Sequence, residues 1–200
     1  MSDTPREGRW ATKLLFECVT IVFSILLALA VNQWQDARRD RALADQAIAS
    51  FRRELAQNRT RLRTLLPYHE RIRDEMGRLD QANAIHSYAD LQKISGFQGF
   101  RPAFLLDTGW RSAVATGALS HVDYRVVNGL STTYTLQGRL DDMNHIMMSS
   151  LLTGSALSDA NAGTTVRQAA IYLSDVTTAE HELLSAYDGM LADLGRRSTH

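Results

Sequence analysis

Of 200 residues, one is cysteine and three are proline, and no tract is of low complexity. Cys18 lies inside an apolar run, so the chain beyond it carries no thiol. A C-x-x-C redox pair is thereby excluded, and an oxidising compartment is permitted without being required. An excess of charge of one sign is also lacking: 22 Lys and Arg stand against 22 Asp and Glu. Neutrality, with no nucleic-acid-binding motif, argues against nucleic acid as a partner. Signatures of chemistry are missing as well. There is no G-x-G-x-x-G or Walker loop, and no H-E-x-x-H or other paired ligand spacing among His69, His86, His121, His145, His181 and His200. Asp141 and His145 stand at i, i+4 and could share a metal edge, but that spacing is far commoner as an exposed charge pair. Ser120, His121 and Asp123 are triad residue types, yet neighbours in sequence cannot reach triad geometry, and Ser120 reads better as a helix cap. These absences predict no enzyme, no cofactor and no metal.

What is present begins with Leu14 to Val31, LLFECVTIVFSILLALAV, eighteen positions with one charge, Glu17, flanked by Trp10, Lys13 and Trp34. At helical rise the run is about 27 Å long, enough for a bilayer core. Tryptophan at both ends suits the headgroup zones, and few globular core helices are apolar around their whole circumference. The rival is a cleaved signal peptide, with Arg6, Arg9 and Lys13 as its basic region and Ala28-Leu29-Ala30 as its cleavage signal. Glu17 inside the hydrophobic region, and helical character continuing past Trp34, favour the uncleaved anchor. Arg38, Arg39 and Arg41, diluted by Asp36 and Asp40, nearly balance the positive-inside count. A short basic N-terminus before a long domain then favours export of the domain. The predicted organisation is a cytoplasmic N-terminus at 1–13, a transmembrane anchor at 14–34, a helical extramembrane domain at 35–195 and a tail at 196–200.

One face of the anchor is patterned. Glu17, Thr20, Ser24, Ala28, Val31 and Gln35 fall within about 60° of one another on a helix. Thr20, Ser24 and Ala28 form a small-xxx-small stripe that permits close helix approach in lipid, so Glu17, Thr20, Ser24 and Ala28 are the expected helix-packing face. Glu17 lies about one turn from the end of the span, where it can reach headgroups or pair with Lys13. It reads as interfacial rather than proton-carrying.

The run Glu17-Cys18-Val19-Thr20-Ile21-Val22-Phe23-Ser24-Ile25-Leu26-Leu27-Ala28-Leu29-Ala30-Val31-Asn32-Gln33-Trp34, followed by an Arg-rich helix, resembles an uncharacterised family of short bacterial single-span membrane proteins. The family's hallmark is a Glu-led apolar run ending in an Ala-Leu, Asn and Trp pattern. Trp110-Arg111-Ser112-Ala113-Val114-Ala115-Thr116-Gly117-Ala118-Leu119 is similar to its second segment, and Ser24 departs from it, standing where glycine is expected. The resemblance implies a bacterial inner-membrane anchor with a periplasmic helical domain, and no activity.

Beyond the span, about 165 residues remain, enough for one domain with a core. Helical periodicity dominates and predicts an all-α fold. From Asp36 to about Ile85, Ala44, Ile48, Phe51, Leu55, Asn58, Leu62, Leu65, His69, Ile72, Met76 and Leu79 alternate in steps of four and three, a heptad-like seam. Pro67 either kinks this helix at an outward position or opens a new one. Ser87 can cap a short helix to Ile94, and 95–102 is loop chemistry. Asp107 or Thr108 can cap another short helix ending at Gly117. Ser120 and Asp123 open a helix to about Leu152. A turn through Gly154, Ser158 and Gly163 leads to a last helix, Thr164 to Leu194, stopped by Gly195. Its Val166, Ala170, Leu173, Thr177, Glu180, Leu184, Tyr187, Leu191 and Leu194 repeat the four-three step. The expected architecture is a transmembrane helix continuing into a long heptad-like helix, packed with a C-terminal helical hairpin.

Residues 36–80 hold eleven arginines against eight acids, a balance of +3, and residues 121–194 hold three against nine, a balance of −6. A basic helix facing an acidic hairpin is the simplest account. The seam has two possible mates, a second copy or the chain's own later helices. Asn58 and His69 are better tolerated at a wet or symmetric axis than in a dry core, which favours self-association through the seam and the small-residue face. Phe97, Phe100 and Phe104, with Trp110 close behind, form an aromatic centre able to line a ligand or partner surface, or else to plug the end of the bundle. Two functions fit: a non-enzymatic membrane-anchored scaffold or subunit of a membrane complex, in contact with lipid bilayer and with a second copy or a membrane-protein partner, or a membrane-anchored sensor that binds a small apolar ligand at the aromatic centre.

Overall fold

The computed structural model describes residues 7–92, 94–152 and 158–197, with side chains from Leu14 onward except those of Tyr88, Gln92 and Arg197. The expected Lys13 partner of Glu17 and the turn at Gly154 lie outside the described side chains and residues. Among the described residues the fold is all-α: α1 (Glu7–Gln81), α2 (Tyr88–Gln92), α3 (Thr108–Ala115), α4 (Tyr124–Leu151) and α5 (Ala162–Arg197), with short 3-10 turns at Ala118–His121 and Asp159–Asn161. The chain divides into two compact units between Asp45 and Gln46.

The first unit contains the apolar run. Within α1, an 18-residue window of mean hydropathy 2.6 has no residue buried, making it long and apolar enough to cross a membrane. Thr20 Oγ1 donates to the Phe16 carbonyl and Ser24 Oγ to the Thr20 carbonyl, each at 2.8 Å. The hydroxyls on the small-residue stripe are therefore satisfied within their own helix, as an apolar medium demands. Arg38 stacks over the Trp34 ring at 4.7 Å, one turn on.

In the second unit α1 continues to Gln81, and Pro67 lies inside it without ending it. Its outward position leaves the buried stripe intact. The helix closes on a Schellman motif: Ala84 N–H donates to the Leu79 carbonyl at 3.1 Å and Asn83 N–H to Asp80 at 3.0 Å, with Asn83 at φ +46°. Asp90 accepts from the backbone of Ser87 at 3.0 Å and from its hydroxyl at 2.9 Å, the carboxylate half of a capping box at the start of α2. The carboxylate of Asp123, accepting from Arg125 N–H at 2.9 Å, caps α4. Ser120 does not cap; it sits in the preceding 3-10 turn and donates to the Gly117 carbonyl at 2.7 Å. Nor does Gly195 stop the last helix, which runs on to Arg197, while Gly163 falls inside it.

The core settles what covers the seam. Phe51, Leu55, Leu62, Ile72 and Met76 of α1 are fully buried with Leu130 and Leu140 of α4 and Leu173, Leu183 and Leu194 of α5. The chain's own later helices cover it. The stripe is also broader than two positions per heptad, since Ala47, Glu54 and Leu66 are buried on α1, and Ala169, Val176, Leu183 and Met190 on α5. That breadth is the mark of a globular core rather than a coiled-coil seam. Gly129 brings α4 and α5 close, a Cβ there meeting Met190 Sδ at 2.8 Å.

Candidate functional site

Residues 97–107 have no regular structure, so this strap must satisfy its backbone polar groups elsewhere. Polar side chains of α1 and α4, braced by partners on α5, do so. The amide of Asn58, 1% exposed, pairs with Leu106 as a neighbouring strand would: Nδ2 donates to the Leu106 carbonyl at 2.7 Å and Oδ1 accepts its N–H at 2.9 Å. Gln137 Nε2 donates to the same carbonyl at 3.0 Å, while its Oε1 accepts from Asn58 at 3.2 Å and from the Tyr187 hydroxyl at 2.6 Å. One turn earlier on α1, Glu54 accepts from Gly109 N–H at 2.7 Å and from the Tyr134 hydroxyl at 2.6 Å. Gly109 eases that approach, because a Cβ would crowd Ser50 Oγ at 3.0 Å and Glu54 Oε1 at 3.2 Å.

The other end of the strap is held by an ion pair. His69 Nδ1 lies 2.8 and 3.0 Å from the two Glu180 oxygens, and Nε2 lies 3.1 Å from the Arg101 carbonyl. The two side chains are 1% and 0% exposed. A carbonyl can only accept, and an ionised carboxylate likewise, so both ring nitrogens donate and His69 is the imidazolium. Burial alone pushes its pKa down; the Glu180 carboxylate and the backbone carbonyls push it up further, and the net shift is upward. Arg101 adopts φ +48°, unfavourable for a residue with a Cβ, and presents its carbonyl to His69 from there. Tyr68 takes the Gln98 N–H at 2.9 Å and donates to the Gly99 carbonyl. Its ring is flanked by the guanidinium groups of Arg71 at 5.3 Å and Arg101 at 5.1 Å.

Two arginines of α1 also serve the strap and the turn before it. Arg61 donates to the Phe104 carbonyl, and Arg71 to the Ser95 and Gly96 carbonyls at 2.8 and 3.2 Å. The acidic hairpin receives Arg59 and Arg63, both on Asp188 at 3.0 and 2.8 Å. Charge complementarity between helix and hairpin is thus met in part, with arginines also spent on loop carbonyls.

The four aromatic candidates do not form one surface. Phe97 and Phe100 meet edge to face at 5.7 Å and pack on the lower core, Phe100 also meeting Tyr172 at 6.1 Å. Trp110 stacks on Tyr134 at 5.2 Å and tilts against Phe51 at 6.3 Å. Phe104 is 66% exposed. A cleft of 490 Å³ between strap, α3 and α4 is lined by Phe104, Trp110, Asp107, Arg111, Asp141 and His145 among others. A second cavity, of 250 Å³, is lined on the strap side by Phe97, Gly99 and Phe100. Buried phenols stay protonated: desolvation raises Tyr134, with the nearby Glu54 carboxylate adding to it, and pushes Tyr172 up to about 12. They are donors, not bases. His145 and Asp141 lie 3.6 Å apart on an exposed face, and no group of three His, Cys, Asp or Glu able to hold a metal occurs among the described residues.

Sequence reasoning singled out Asn58 and His69 but missed their use, and it missed Glu54 and Gln137 altogether. The signal was available: polar residues at core-facing positions of helices otherwise patterned with Leu and Val need buried partners. Comparison adds no constraint, since no family model, no curated protein and no solved structure matches the chain.

Proposed function

We propose that the protein is a non-enzymatic, membrane-anchored helical scaffold or subunit of a membrane complex. In this reading residues 14–34 hold it in a bacterial inner membrane, with the N-terminus cytoplasmic and the domain periplasmic. The single observation carrying the proposal is the use made of the buried acid–base side chains. His69, Glu180 and Glu54 bond to one another, to a phenol, to strap backbone or to the first turn of α3. Groups engaged in this way fix a shape and are not free to exchange protons with a substrate. The resemblance to short bacterial single-span proteins supports the anchor, and the small-residue face supports a helix partner in lipid, a second copy or another membrane protein.

Membrane preparations test this reading. The protein should resist alkaline extraction, keep residues 1–30 by intact mass, and run in mild detergent as a complex heavier than the 22.3 kDa monomer. A soluble species beginning at Val31, or a lone monomer in several mild detergents, would contradict it.

A second reading, a membrane-anchored binding module, is favoured by the cavities of 490 and 250 Å³ on the two stretches of the strap.

A further inference from the structure

The two cavities differ in chemistry. The larger presents Asp107, Arg111, Asp141 and His145 beside its aromatics. The smaller, of 250 Å³, is walled by Met76, Leu91, Phe97, Phe100, Val166 and Ala169, and none of the described residues lining it is charged. Met76, Val166 and Ala169 are each 1% exposed, so its deep wall is dry, whereas Leu152 at its rim is 82% exposed and leaves a way in. Protein interiors are close-packed and leave few voids larger than a water molecule. An apolar cavity of about 150 Å³ stays dry and takes up a benzene-sized guest. This one is larger, and its described walls are apolar apart from Thr165 and the backbone of Gly99.

We propose that this cavity is a binding site for a small, uncharged, apolar molecule of one or two rings. The proposal rests on the binding-module reading and names its site and ligand class. An ionised ligand finds no counter-charge among the described wall residues, and burying a charge unpaired is costly. An aromatic guest suits the wall geometry. Phe97 meets Phe100 at 82° and Phe100 meets Tyr172 at 84°, so a ring laid against them extends an edge-to-face series. The strap supplies both phenylalanines and is fastened at Arg101 by His69, one residue beyond Phe100.

The full chain in detergent, titrated with naphthalene and with 2-naphthalenesulfonate, provides the test. Naphthalene at about ten times its dissociation constant should raise the thermal midpoint by about 3–5 °C. It should also shift the methyl resonance of Met76 by its ring current; the sulfonate at equal concentration should do neither. Ala169→Leu and Val166→Phe, which fill the cavity by different amounts, should at least halve both responses while still unfolding cooperatively. A midpoint that rises with the Met76 methyl unmoved, or equally in the filled variants, would overturn this site and leave the binding-module reading standing with the larger cleft. No response to naphthalene in midpoint or resonance would overturn the proposal, and the same null result with ligands suited to the charged cleft would remove the binding-module reading.

Discussion

His69 joins α1, α5 and the strap, its two ring nitrogens donating to Glu180 and to the Arg101 carbonyl. Its pKa is raised in the folded state, so its contribution is complete below the ordinary histidine value of about 6.5 and is lost as pH rises through the higher folded value. Thermal midpoints of the wild type should therefore fall from pH 6 into the alkaline range, and those of His69→Gln should fall less over the same window. At pH 6 His69→Gln should cost about 3–5 kcal/mol, because it leaves the Glu180 carboxylate buried without its partner. Gly109→Ala should cost about 1–3 kcal/mol by forcing Ser50 and Glu54 away from the N–H that Glu54 now accepts. Chemical denaturation of the detergent-solubilised chain measures both. The sequence made Asn58 and His69 conspicuous, as polar residues on an apolar stripe. Their partners were not legible, being backbone groups of a strap whose path no local pattern encodes.

At the scale of elements, legibility followed periodicity. Helices α1, α4 and α5 were readable to within a few residues because each repeats an apolar stripe over many turns, and Gly117 at φ +71° marks the end of α3 as its type suggests. The helix boundaries that went astray hung on single residues. Gly163 and Gly195 are tolerated inside α5, where packing along the stripe outweighs a propensity cost of about 1 kcal/mol each. Four-three spacing alone could not tell a seam for a second copy from a stripe for the chain's own hairpin. The added burial of Glu54 and Leu66 shows the stripe is the broader kind. With that stripe used within the chain, the proposed self-association would have to use the face of Thr20, Ser24 and Ala28. Ser24→Leu and Ala28→Leu should weaken cross-linking between copies in membranes several-fold, with the thermal midpoint of the domain unchanged. Cross-linking unaffected by both substitutions would assign the oligomer to another surface.

For the whole molecule, composition was the most legible layer: an apolar run at one end, a helical domain after it, and no motif of chemistry. What composition could not convey is that the irregular centre, and not the helices, determines how the buried polar groups are spent. Asn58, Gln137, Glu54 and His69 would each be a liability in a plain three-helix core, and each finds its partner because residues 97–109 bring backbone groups among them. Hydrogen exchange on the intact chain in detergent tests that claim most directly. The amides of Gln98, Leu106 and Gly109, bonded to Tyr68, Asn58 and Glu54, should exchange orders of magnitude more slowly than an open loop, and those of Leu106 and Gly109 should approach the protection of the helix cores. Exchange of all three at the rate of an unstructured peptide, with the helices still protected, would contradict the account.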